Sequence, residues 1–290
     1  MARSSSCLPD SAERAVRASR SSKPEASRAI EYAARAGYFV KGFIYATIGV
    51  LAAMTALGFA GGRIVGTRSA VETIRSQPFG QAILWAVAIG LTGYVVWRVV
   101  QAFADPEHRG SDFKAMVQRV GLAISGLVYA ALAVFTVRLL AGNGGQAAGG
   151  GDESQRSTAM LMQYEWGVWL VGLIGLSMIG VALYQAYRAY SIEFEKDWRT
   201  GEMGPIVLHW SVPLSRFGIA ARAVAFALIG WFFLRAAIQA DPSEARGLDG
   251  ALRSFYDEPW GEVWLATVGI GFVCYGIYCA LNGRFKRINP

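Results

Sequence analysis

The sequence predicts an all-α polytopic membrane protein: six transmembrane helices, built as three tandem helical hairpins in a pseudo-threefold arrangement. Three observations carry that expectation. The 290-residue chain is 53% hydrophobic and only 17% charged, with thirty-four glycines and nine tryptophans. Glycine lets membrane helices approach closely and tryptophan favours the bilayer interface. Six apolar segments recur along the chain, at about 37–58, 80–103, 120–141, 166–188, 217–239 and 260–282. Finally, these segments repeat in pairs.

Residues 1–28 are rich in Arg, Ser and Ala and lack an apolar centre, so they read as a disordered basic cytoplasmic tail rather than a secretory signal. Each apolar segment that follows is near the roughly 20 residues needed to cross the hydrocarbon layer. A run of that length in lipid must be helical, because only a helix satisfies its own backbone amides. The links between spans are polar and loop-like, as in AGNGGQAAGGGDESQRS (141–157) and QADPSEARG (239–247). With a cytoplasmic N-terminus, twenty of the lysines and arginines fall on the cytoplasmic side and eight on the other. The positive-inside rule therefore places both termini in the cytoplasm, as expected of a multi-pass protein of a cytoplasmic (inner) membrane.

The odd-numbered spans open on one pattern: RAGYFVKGFIYATIGV (35–50), RVGLAISGLVYAALAV (119–134) and RFGIAARAVAFALIGW (216–231). Arg35, Arg119 and Arg216 align, as do Gly37, Gly121 and Gly218. Small residues follow at Gly42, Gly126 and Ala223, then aromatics at Tyr45, Tyr129 and Phe226. The even-numbered spans open PFG, EWG and PWG, and lead to Gly93, Gly180 and Cys274, then to Trp97, Tyr184 and Tyr278, then to polar Gln101, Arg188 and Asn282. Spacings of three and four put such residues on one helix face, where small residues let backbones meet and aromatics fill the gaps. The units are 29–110, 111–205 and 206–290. Because each crosses twice, all three insert in the same orientation.

These three tandem pairs, with their Arg-x-Gly openings and aromatic-Gly second helices, resemble the bacterial membrane family catalogued as domain of unknown function 1206. The resemblance covers nearly the whole chain beyond the tail. It implies a six-helix integral membrane protein and no assigned activity.

Chemistry-bearing motifs are sparse. His108 and His209 both stand in polar links, so no paired axial ligands for haem lie within the spans. No zinc-ligand spacing appears, and Cys274 and Cys279 point in different directions on one helix. No cofactor is expected. The centres of the apolar segments hold no Asp or Glu, which counts against ion-coupled transport. No catalytic motif is present, so no enzyme is expected. The basic charge lacks a nucleic-acid-binding motif, so membrane lipids, anionic ones above all, are the expected partners.

That leaves the embedded cations. Lys41, Arg98 and Arg222 lie just inside the cytoplasmic edge of their spans, with Arg188 nearby. Snorkelling to the headgroups is the simplest expectation for each. The alternative is a basic pocket that binds an anionic headgroup, favoured by Lys41 and Arg222 standing at equivalent repeat positions with Ser125 as the third. A non-enzymatic scaffold or anionic-lipid-interacting protein fits this best. A passive channel or uniporter along the pseudo-threefold axis is the alternative, and Tyr45, Tyr129 and Phe226 plugging that axis would favour the scaffold. The topology is tested by alkaline-phosphatase fusions: those after residues 62, 150 and 247 are expected to be active and those after 110, 200 and 288 inactive, and the reverse pattern overturns it.

Overall fold

In the computed structural model the described residues are 25–59, 62–103, 113–142 and 150–287. Most of the basic tail, His108 and most of the glycine-rich link therefore lie outside them. Six long helices are apolar enough to cross a membrane. They are α1 (Glu25–Ala56), α3 (Gly80–Phe103), α4 (Phe113–Leu140), α6 (Gly167–Ser191), α7 (Pro205–Gln239) and α9 (Gly261–Phe285).

The link before each even-numbered span is not simply loop-like. It carries a short helix: α2 (Thr67–Arg75), α5 (Gly150–Met162) or α8 (Leu248–Tyr256). In α2 the apolar Ala70, Val71 and Ile74 are buried while the polar residues are half-buried or exposed, and α8 buries Ala251 and Leu252, with Asp249 beside them. Hydrophobic residues at helical spacing in a polar link are the signature of a helix lying along a surface. The glycine that opens each even-numbered span abuts the end of this short helix. A Cβ at Gly80 would strike the Arg75 carbonyl oxygen at 2.5 Å, and one at Gly261 would lie 2.6 Å from the Tyr256 carbonyl carbon. The aromatics just before them, Phe79 and Trp260, turn the chain in the left-handed region at φ 60° and 64°. Two further expectations are corrected. α1 begins at Glu25, inside the segment expected to be disordered, and His209 stands within α7 rather than in a link.

The long helices pack in the order α4, α3, α1, α9, α7, α6, each against the next. The contacts between α1 and α9 and between α6 and α7 are backbone-close. A Cβ on Gly49 would come 2.8 Å from the Val273 amide nitrogen, and one on Gly269 would come 2.8 Å from the Gly49 carbonyl oxygen. Gly175 and Gly230 reproduce this crossing between α6 and α7, each meeting the other's carbonyl at 2.8 Å. The first and third hairpins close as expected: Gly37 lies against the Tyr94 backbone, and Gly218 lies against that of Tyr275. The middle hairpin departs from the expected ring. Among the described residues α4 and α6 share no extended interface, and a Cβ on Gly121 would meet nothing within 4 Å.

The arginines that open the first and third repeats have a structural task. Arg35 donates from a terminal guanidinium nitrogen to the carbonyls of Gly283 and Arg284, both at 2.7 Å, at the end of α9. Arg216 Nε donates at 3.0 Å to the Ala189 carbonyl near the end of α6. Gly283 and Ala189 occupy the same position in their repeats, and Arg119 stands at the third such arginine position. A cation at a helix C-terminus satisfies carbonyls with no partner in the helix and complements its dipole. The Arg35 contact also brings the start of α1 to the end of α9, so both described ends of the chain lie on one side of the bundle.

Two glycine substitutions separate close packing from open space. Gly269→Leu is expected to lower stability by about 1–3 kcal/mol, as overpacking does. Gly121→Leu should stay within about 0.5 kcal/mol of the parent. Thermal unfolding in detergent reads both, and equal losses would contradict the open middle hairpin.

Candidate functional site

The interior of the bundle holds a cluster to which all six long helices contribute. Lys41 on α1 is 6% exposed, so it does not snorkel. Its stem starts on the face of α1 turned inward, and its ammonium group ends among rings. Nζ lies 5.4 Å from the ring centroids of Tyr94 and Tyr129 and 5.6 Å from that of Tyr275, and it donates to the Tyr94 hydroxyl at 3.3 Å. Three aromatic faces around one ammonium form a cation–π cage, which stabilises the charge most where water is excluded.

Arg222 on α7 is the second cation. Its guanidinium stacks 4.1 Å from the Phe226 centroid, 5.0 Å from Tyr275 and 5.5 Å from Tyr45. Nε donates to the Tyr45 hydroxyl at 3.1 Å, and a terminal nitrogen donates to Gln185 Oε1 on α6. Arg98 on α3 is the third. Its Nε donates to the Tyr94 hydroxyl at 2.9 Å and a terminal nitrogen to Gln101 Oε1 at 3.0 Å. One tyrosine oxygen thus accepts from both Lys41 and Arg98. The rings lock one another edge-to-face, with Tyr45–Tyr275 and Tyr94–Tyr129 centroids each 4.8 Å apart.

The electrostatics are one-sided. Three cations converge, and the long helices carry acids only near their ends, Glu25 and Glu31 in α1 and Glu262 in α9. Glu31 is engaged with Arg35 at 2.8 Å. A buried charge is normally paired. Here the described residues supply aromatic faces, hydroxyls and amide oxygens and no carboxylate. Gln185 adds a donor: it is 7% exposed, and its Nε2 has no hydrogen-bond partner. Such a set suits an oxyanion with several acceptor atoms. Among the described residues no group of His, Cys, Asp and Glu could hold a metal ion.

Of the expected site residues, Lys41, Arg98 and Arg222 come together and Arg188 does not. Arg188 sits nearer the chain-terminus side, donating to the Tyr278 hydroxyl at 3.3 Å and facing Asp197 at 3.7 Å. There the link after α6 closes that end of the bundle, with Phe194 and Trp198 buried against Tyr278. The Trp198 indole donates to Asn282 Oδ1 at 3.3 Å. Trp97 and Tyr278 are buried while Tyr184 is 49% exposed. The expected packing stripe of α1 also divides between two partners: Gly37 faces α3, whereas Gly42 and Gly49 face α9. Gly126 lies against α3, its Cβ position 3.2 Å from Arg98 Cβ. A shallow cleft lined by Thr55, Arg63, Arg253 and Asp257 lies at the far end of α1, apart from the cluster.

Tyr94, Tyr275 and Gln185 were not among the expected site residues, yet the repeat contains their signal. Tyr94 and Tyr275 each follow the small residue of the even-numbered stripe by one position, with Val181 as the third. Arg98, Gln185 and Cys279 share the slot four residues later. Reading every repeat register for polar or aromatic content, rather than for small residues alone, would have found them.

The family model described as Domain of Unknown Function (DUF1206) matches three tandem regions, 36–105, 120–191 and 217–286. The chain belongs to the DUF1206 family. An uncharacterized protein, YxxB, of Bacillus subtilis (strain 168) is 33% identical over 266 residues, covering 92% of this chain and 94% of that protein. No solved structure matches the chain. Each matched region of the DUF1206 chain spans one pair of long helices, so the cluster draws one pair of helices from every repeat.

Like charges held in a dry core oppose folding unless something else stabilises them. Replacing Lys41 with Met, which fills similar space without charge, is therefore expected to raise the stability of purified, delipidated protein by about 1–3 kcal/mol. A melting temperature lowered by the substitution would mean that the ammonium is a net structural asset.

Proposed function

We propose that this DUF1206 protein is a non-enzymatic protein of the bacterial cytoplasmic membrane that binds the head of an anionic lipid at the Lys41–Arg98–Arg222 cluster. One observation carries the reading: three cations meet inside the bundle where the described residues provide no acid. Anionic headgroups supply several oxygen acceptors at membrane depth, and basic pockets between helices are a known means of holding them. The twenty lysines and arginines on the side of the termini, against eight on the other, support an orientation with both termini in the cytoplasm.

Three further features favour binding over conduction. Four tyrosines, at 45, 94, 129 and 275, pack around the cations and occupy the interior a solute would have to cross. The chain-terminus end is closed by Phe194 and Trp198. The helices also lack any acid near their centres that could couple flux to an ion.

Changing Lys41 and Arg222 together to Gln is expected to reduce phosphatidylglycerol or cardiolipin retained in native mass spectrometry by about tenfold or more, since each charge-assisted contact contributes about 1.5–3 kcal/mol. Unchanged retention in the folded double variant would leave these residues a purely structural role.

A further inference from the structure

The same small-residue faces that close the first and third hairpins stand open in the second. In the first, a Cβ on Gly93 of α3 would come 2.7 Å from the Ala33 carbonyl oxygen, and the space at Gly90 is filled by the Val40 side chain. In the third, Gly271 of α9 is filled by Ala221. The middle repeat keeps the elements of this interface: Gly121 and Ile124 on α4, with Ser177, Gly180 and Val181 on α6. All five are exposed, and among the described residues nothing lies within 4 Å of a Cβ on Gly121 or Gly180. α4 leans on α3 instead and α6 leans on α7, which leaves a slot between them.

The slot and the cluster share their walls. Tyr129 of α4 forms one face of the Lys41 cage, and Gln185 of α6 accepts from Arg222. The helices that part are thus those whose inner residues reach the cations. Gln185 is also a buried side chain with a spare donor, its Nε2. Two other approaches are occupied. Phe194 and Trp198 cover Tyr278 on the chain-terminus side, and Tyr45 packs on Phe272 at 5.7 Å toward the opposite side. Residues flanking the slot are apolar and exposed at membrane depth, among them Ile124 (57%), Val128 (60%) and Val181 (43%).

Resting on the anion-binding reading above, we infer that the ligand reaches the cluster sideways from the bilayer through the slot between α4 and α6, and that it is an anionic phospholipid whose acyl chain lies against those two helices. The reasoning is one of matched chemistry. Lys41, Arg98, Arg222 and Gln185 Nε2 donate to phosphate oxygens, while an opening at membrane depth, lined by aliphatic side chains, accepts a hydrocarbon tail and excludes a hydrated ion. The small residues of the middle repeat then serve as room for that tail, where their counterparts serve as helix contacts.

The test uses the full chain in detergent, with phosphatidylglycerol, phosphatidylcholine and inorganic phosphate as probes. Three proteins are compared: the parent, Gly121→Phe/Gly180→Phe, which fills the slot where added side chains meet nothing, and Lys41→Gln/Arg222→Gln. The parent is expected to retain phosphatidylglycerol at least tenfold over phosphatidylcholine in native mass spectrometry, and its melting temperature should rise with that lipid but not with phosphate. The slot-filled variant should melt like the delipidated parent and lose retained phosphatidylglycerol at least tenfold. Parental retention in the slot-filled variant overturns lateral entry while leaving the cluster reading intact. Stabilisation of the parent by inorganic phosphate equal to that by lipid overturns it in favour of a free anion. Retention by the Lys41→Gln/Arg222→Gln variant overturns the cluster reading itself.

Discussion

The interior of this protein is organised around positive charge that no carboxylate among its described residues neutralises. Removing an ammonium or guanidinium group from water costs several kcal/mol even after relaxation. In a membrane bundle there is no bulk solvent to soften that cost. The chain answers it with what is at hand: tyrosine faces around Lys41, two tyrosine rings and a phenylalanine ring against Arg222, and hydroxyl and amide oxygens for the remaining donors. Each of these is a dipole or quadrupole, weaker than a carboxylate at the same distance. The arrangement holds three cations in place and leaves them attractive to an anion. That is a different solution from the buried ion pair, which satisfies itself and binds nothing further.

Holding such a cluster requires rigid walls, and these come from the absence of side chains. Gly49 with Gly269 and Gly175 with Gly230 bring helix backbones into direct contact, the close approach that substitutes for hydrophobic driving force where lipid is as apolar as leucine. Arg35 and Arg216 tie helix ends together at the rim. Against this tight frame the parted middle hairpin stands out. Its sequence carries the same small residues as its sisters, yet α4 and α6 each follow an outer neighbour. One packing rule thus yields two closed pairs and one open pair, because a helix with two competent faces can satisfy only the stronger partner fully.

Much of this was legible in the chain. Length and apolarity of the six segments follow directly from the thickness of hydrocarbon and the need to satisfy every backbone amide. The triple recurrence of Arg-x-Gly and aromatic-Gly openings marked the repeat, and both turned out to have local mechanical causes, helix-end clamping and close abutment on a short preceding helix. The short helices themselves went unseen because α2 and α8 are nine residues each, too brief for a periodic pattern to rise above polar link composition. Lys41 was legible as an oddity and not as a cage, since its partners come from α3, α4 and α9, far apart in sequence.

The sequence alone determined the number of spans, their helical character, the repeat, and the lack of acids at the centres of the spans. These are properties of composition and local spacing, and each is set by the bilayer acting on one segment at a time. Only the tertiary structure decided which faces meet: that Lys41 turns inward rather than up to the headgroups, that Tyr94 and Tyr275 join Tyr129 around it, and that the middle hairpin stays apart. Those outcomes depend on competition between neighbouring helices for the same small-residue surfaces. A single strand of sequence lists the competitors but does not contain the distances that settle it.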